Sequence, residues 1–214
     1  MQDLDIRGAG NLLGAEQSGF IADLGYETYQ KILRESVTEL KTEEFGDTFT
    51  DVNAGKEEEF TADCTIESDL ELRLPPDYVP QESERISLYQ QLDNMEQPQQ
   101  TEDFRTQLRD RFGSIPDVTE ELIKVVPLRI AARRLGIERL VLKGGKMRLY
   151  FVSDDNKAYY RSQAFGRVLA YLRAHPRRCE IREVNNRRSF LIHKVPTVSI
   201  ALDILHEMAD TPPA

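Results

Sequence analysis

A glycine pair, Gly144-Gly145, stands between two short alternating apolar runs, and no other feature narrows the fold so much. Ile137, Leu140 and Leu142 precede it, and Met147, Leu149 and Phe151 follow it. Two glycines tolerate the positive φ angles of a tight two-residue connection, so this stretch predicts an antiparallel hairpin. Everything before it, back to Ile86, has helical spacing. Ile86, Tyr89 and Leu92 suggest one helix, and Phe104, Leu108 and Phe112 a second, capped by Thr101 or a neighbour. A third should run over about 117–135, with Val118, Leu122, Val126 and Ile130 inward. Pro127 should kink or divide it, and Gly136 should end it.

After the hairpin, Ala164, Phe165, Val168, Leu169 and Leu172 predict a helix over 162–174 that ends near His175-Pro176. Two strands, about 179–184 and 188–194, follow across Asn185-Asn186. A last helix starts after Pro196, with Val198, Ala201, Leu202 and Leu205 on one face. The expected class is α+β: a helix-rich domain over 68–210 with a small, mainly antiparallel sheet in β-β-α-β-β-α order. An extended segment through Thr65, Glu67, Leu70, Leu72 and Leu74, stopped by Pro75-Pro76, should lead into it.

The N-terminal part reads differently. Residues 4–19, LDIRGAGNLLGAEQSG, set Gly8, Gly10, Gly14 and Gly19 around Arg7 and Gln17. No Lys-Ser/Thr follows the glycines as a Walker A loop needs. The third glycine comes four residues after Gly10, which breaks the dinucleotide fingerprint. The segment is either a structural glycine-rich connection or a scaffold for a few polar groups. Arg7 either meets an anion or satisfies helix-end carbonyls. With an amphipathic helix over 24–41, it should form a helical hairpin over 1–45, too small to hold a core alone. Residues 46–67 read as an acidic linker.

The formal charge is −9, but it is unevenly spread. Residues 39–71 hold 12 acidic and 2 basic side chains, a net of −10; residues 124–148 hold 8 basic and 1 acidic, a net of +7. Arg129, Arg133 and Arg134 form one basic cluster, and Arg173, Arg177 and Arg178 another. Each could contact phosphates, form a protein interface or be a solvated surface. Cys64 and Cys179 lie apart without a metal-ligand pattern, and His175, His193 and His206 are scattered, so neither a metal site nor a catalytic constellation is expected. No apolar run approaches a membrane span and no leader is evident, which points to a cytoplasmic protein. Two function classes stay open: the terminal part of a larger motor, or a freestanding protein-interaction adaptor.

Residues 3–19 resemble the translocation motif that follows the last helicase motif in the bacterial transcription-repair coupling factors (Mfd) and in the branch-migration helicase RecG. ELRLPPDYVPQESERISLYQQL at 71–92, RDRFGSIPD at 109–117 and LGIERLVLKGG at 135–145 resemble the C-terminal domain of the coupling factors alone. That resemblance implies the regulatory end of an ATP-dependent double-stranded DNA translocase that displaces stalled RNA polymerase and recruits excision repair through UvrA. It implies that Arg7 and Gln17 couple ATP turnover to translocation, with the four glycines structural. It also implies a C-terminal domain that packs on a UvrB-like module and the motor lobes, masks the UvrA-binding surface and restrains the motor. Arg129, Arg133 and Arg134 are the candidate interface, by charge clustering alone. ATP and Mg belong to the full-length parent. This chain, without a Walker A loop, an acidic Mg box or an arginine finger, should bind no cofactor and hydrolyse no ATP.

Overall fold

The computed structural model describes residues 60–153, 156–184 and 187–213. The hairpin expected over 1–45, with Arg7, Gln17 and the four glycines, lies outside the described residues. So do most of the expected linker and the Asn185-Asn186 connection.

The described chain begins with a short strand, β1 (Thr65–Ser68), followed by four helices: α1 (Glu82–Asp93), α2 (Gln99–Phe112), α3 (Asp117–Ile123) and α4 (Val125–Arg134). Then come the hairpin β2 (Ile137–Lys143) and β3 (Lys146–Phe151), a one-turn helix α5 (Lys157–Tyr160) and α6 (Gln163–Ala174). Strands β4 (Cys179–Val184) and β5 (Arg187–His193) and helix α7 (Val198–Asp210) complete it. The expected helix-rich domain with a small, mostly antiparallel sheet is what the chain forms. The sheet has five strands, one more than the β-β-α-β-β-α pattern contains, in the order β1-β2-β3-β5-β4. The added strand is β1, which pairs in parallel with β2, Thr65 opposite Arg139 and Ser68 opposite Leu142. It forms the start of the segment expected to be extended from Thr65, and overlaps the end of the segment read as acidic linker. Nothing in Thr-Ile-Glu-Ser announces which strand it pairs with.

Gly144 and Gly145 have φ of 58° and 66°, the conformation a two-residue hairpin turn with right-handed strand twist requires. Period-two alternation then sends Leu140, Leu142, Met147, Leu149, Phe151, Phe190 and Ile192 to the buried face. Helix α4 packs on β2 and on α7, and α7 packs on α6, so these helices cover that face. In α7 the buried residues Val198, Ala201, Leu205 and Met208 recur at three- and four-residue spacing, a single apolar stripe. Each fully buried Leu, Ile or Met contributes roughly 1.5–3 kcal/mol relative to exposure.

The long helix expected over 117–135 is divided, at Lys124 rather than at Pro127. Pro127 is the third residue of α4, where amides have no intrahelical acceptor to lose. Thr101 is not a cap: it lies inside α2, and its hydroxyl donates back to the Pro98 carbonyl at 2.6 Å. Gly136 ends α4 with φ of 70°, and a Cβ there would come 2.1 Å from the ring of Tyr159. Tyr159 is fully buried, donates its hydroxyl to the Leu135 carbonyl at 2.7 Å, and packs against the rings of Phe60, Phe151 and Phe165. The 70–80 segment is held by two further tyrosines. Tyr89 accepts from the Leu74 amide at 2.9 Å, and Tyr78 donates to the carbonyl of Gly113 at 3.2 Å.

Candidate interaction surface

The side chains with reactive chemistry are used structurally. Burial pushes the Cys64 thiol up to about 12 and also raises Cys179, so neither favours the thiolate. Both cysteines are free. Burial likewise raises Tyr78, Tyr89, Tyr159 and Tyr171, which suits hydroxyls placed for packing and not ones that exchange protons. Among the described residues no group of three His, Cys, Asp or Glu side chains could hold a metal ion.

The basic run at 124–148 is dispersed by the fold. Lys124 pairs with Glu121 at 3.1 Å, and Arg139 and Lys143 both reach Glu67 on β1, at 2.7 and 3.7 Å. Arg139 also lies over the ring of Tyr150, 5.1 Å from its centroid. These cations are balanced by acids, two of them by one far away in sequence, which spacing within the run does not reveal.

The three arginines named as a candidate interface differ in exposure. Arg129 is largely buried, its side chain 12% exposed. It donates to Asp93 Oδ1 at 3.1 Å and to the carbonyls of Asp93 and Met95 at 2.7 and 3.0 Å. It therefore caps the C-terminal end of α1 and ties it to α4, the favourable place for a cation on a helix dipole. Arg133 is half-buried, and Arg134 is exposed at the end of α4. In the second cluster Arg178 donates to the carbonyls of His193 and Lys194, while Arg173 and Arg177 are exposed. The sequence clusters are thus not surface patches as units. Arg134 meets instead two arginines that no spacing argument joins to it, Arg161 and Arg167, along one groove of about 680 Å³.

A second polyfunctional contact joins α3 to α7. Glu121 Oε2 accepts from the amides of Val198 and Ser199 at 2.6 and 3.2 Å, and Oε1 accepts from the Ser199 hydroxyl at 2.7 Å. Burial opposes ionisation of this carboxyl. The hydrogen bonds from Ser199 and Lys124 outweigh that penalty and hold it below the usual glutamate range. The contact caps the start of α7 from a separate helix, and is architectural.

On the open face of the sheet, Arg182 and His193 both engage Glu180, at 2.9 and 2.7 Å. Ile181 on the edge strand β4 is 63% exposed, the large apolar side chain most open to solvent among the described residues. No helix among the described residues is long and apolar enough to cross a membrane.

Residues 68–162 match the model of the TRCF domain family. The transcription-repair-coupling factor of Staphylococcus epidermidis is 33% identical over 175 residues, 79% of this chain and 14% of that protein. Those of Escherichia coli and Bacillus subtilis are 34% and 32% identical, over 64% and 79% of this chain. The chain thus spans about a seventh to a ninth of the length of these relatives. A crystal structure of the C-terminal domain of transcription-repair coupling factor shares the fold at a TM-score of 0.53 and 18% identity, covering 69% of this chain and 96% of that one. Residues 68–162 therefore match the TRCF domain family, the chain is similar in sequence to bacterial transcription-repair-coupling factors, and its fold resembles that of the C-terminal domain of such a factor.

Proposed function

We propose that this chain is the regulatory and coupling portion of an ATP-dependent double-stranded DNA translocase that displaces stalled RNA polymerase and recruits nucleotide excision repair. The match of residues 68–162 to the TRCF domain family carries the reading. In it, the domain packs on a UvrB-like module and on the motor lobes of its own protein, restrains the motor, and masks the surface that UvrA would bind. Arg7 and Gln17 act upstream as coupling residues, and ATP and Mg are bound elsewhere in the parent. The inert thiols and buried tyrosines suit a domain that acts by contact.

The test is association of the 214-residue chain with the separately produced UvrB-like module, measured by calorimetry at low and high salt. Saturable binding that excludes UvrA from the module is expected. Absence of binding at both salt concentrations sinks the reading and leaves the freestanding adaptor. For the candidate interface, Arg134→Glu is the informative charge reversal, because Arg129 is committed to α1 and its reversal would unfold what it braces.

A further inference from the structure

Three arginines from separate elements converge on one groove. Arg134 ends α4, Arg161 follows α5, and Arg167 lies in α6. Among the described residues none of the three forms an ion pair. The Nε of Arg167 is buried and has no hydrogen-bond partner among them. The one acidic side chain lining the groove is Asp210, so the lining carries a net of +2 in a chain of net −9. Elsewhere in the fold, Arg105, Arg129, Arg139 and Arg182 each have a carboxylate partner. Three guanidinium groups lining one groove with a single carboxylate leave it positive, and such an arrangement is stabilised by an anion.

The rest of the lining narrows the anion. Phe60, half-buried, supplies an aromatic wall beside the cations, with Leu135 buried beneath the lining. Phe60 rests edge-on against Tyr159, with centroids 5.1 Å apart, so the ring is braced. A braced aromatic beside several guanidinium forks suits a nucleic-acid strand, whose phosphates take the forks and whose bases take the apolar wall. The local balance permits this despite the overall negative charge, because screening confines each charge to about 8–10 Å at physiological salt.

We propose that the groove formed by Phe60, Arg134, Arg161 and Arg167 binds a phosphate group of a single-stranded nucleic-acid backbone. The groove shares Arg134 with the candidate interface to a UvrB-like module, so its test rests on Arg161 and Arg167, which that interface does not include.

The probe is a fluorescein-labelled oligonucleotide of about twelve thymidines, within the usual single-strand site size, titrated with the 214-residue chain and read by anisotropy. Arg161→Ala/Arg167→Ala should weaken binding about tenfold and flatten the plot of log affinity against log salt by about 0.7 for each phosphate no longer engaged. Arg177→Ala, an exposed arginine outside the groove, should leave both unchanged. Arg161→Ala alone, at an exposed position, serves if the double variant unfolds, and should weaken binding by a smaller factor in the same direction. Replacing chloride by inorganic phosphate at constant ionic strength should displace the oligonucleotide from the parent chain.

Equal weakening by Arg177→Ala, or no difference between phosphate and chloride, would show diffuse screening and overturn the proposal. So would tighter binding of a polyglutamate peptide than of the oligonucleotide, which would make the groove a carboxylate-peptide site.

Discussion

Arg129 shows how far a basic residue's role depends on what the fold brings to it. Its guanidinium satisfies two carbonyls at the end of α1 and one carboxylate, across 34 and 36 residues of sequence. Arg129→Ala leaves those carbonyls short of donors and an acid unpaired, and should cost about 2–4 kcal/mol. Urea unfolding will measure it; a change within error of zero would show that water replaces the guanidinium without penalty. Glu121 makes the complementary contact at α7. Its folded pKa is depressed, so its contribution is present above the unfolded value and is lost as pH falls through the folded one. Glu121→Gln should cost about 1–2 kcal/mol near neutral pH, as removal of a charged cap does. The variant's deficit should shrink below about pH 4, since both chains then lack the charge. A deficit constant from pH 7 to 3 would assign the contact to shape alone. Neither role was legible in the sequence, where Arg129 reads as part of a basic cluster and Glu121 as one acid in a helix.

Among elements, those whose signal is local were readable. The hairpin turn is dictated by Gly144-Gly145, and α6 and α7 by their apolar stripes. The last of these begins at Thr197, whose hydroxyl accepts from the Ile200 amide at 3.2 Å. What escaped was non-local. For β1 the extended backbone was legible from Thr65, but not its partner more than seventy residues away, nor the pairing of Glu67 with Arg139 and Lys143. The groove arginines sit on three elements, and only the packing of α5 and α6 near α4 makes them neighbours. Because β1 brings Phe60 and Cys64 onto the core, a chain starting at Asp69 should unfold at least several degrees lower than one starting at residue 57. Equal midpoints in thermal unfolding would show that the 60–68 segment adds nothing. The α5 helix, four residues long, was also unannounced. It is held by the Asn156 side chain accepting from the Tyr159 amide, a cap whose helix is too short to show a period.

Across the whole molecule, acids and bases that look segregated along the chain are interleaved in space. Glu67 of the acidic stretch neutralises two members of the basic run, so the segment-by-segment charge exaggerates the surface field. The core likewise spans from Cys64 to Met208. Cys64 is 2% exposed and its thiol is pushed up to about 12, so it reports on global opening. In the native state a thiol reagent at pH 8 should modify Cys179 first. Cys64 should react only at the rate of unfolding, and labelling of Cys64 at the Cys179 rate would mean that β1 opens by itself.

The parallel register of β1 on β2 also has a mechanical meaning. A pull applied at Phe60 meets its contact with Tyr159 and the buried Cys64, and then the backbone bonds of β1. A pull parallel to the strand loads the backbone bonds of Thr65–Ser68 together, whereas a pull perpendicular to it breaks them one after another. Those four residues are therefore stiffer against a pull along the strand than against one across it.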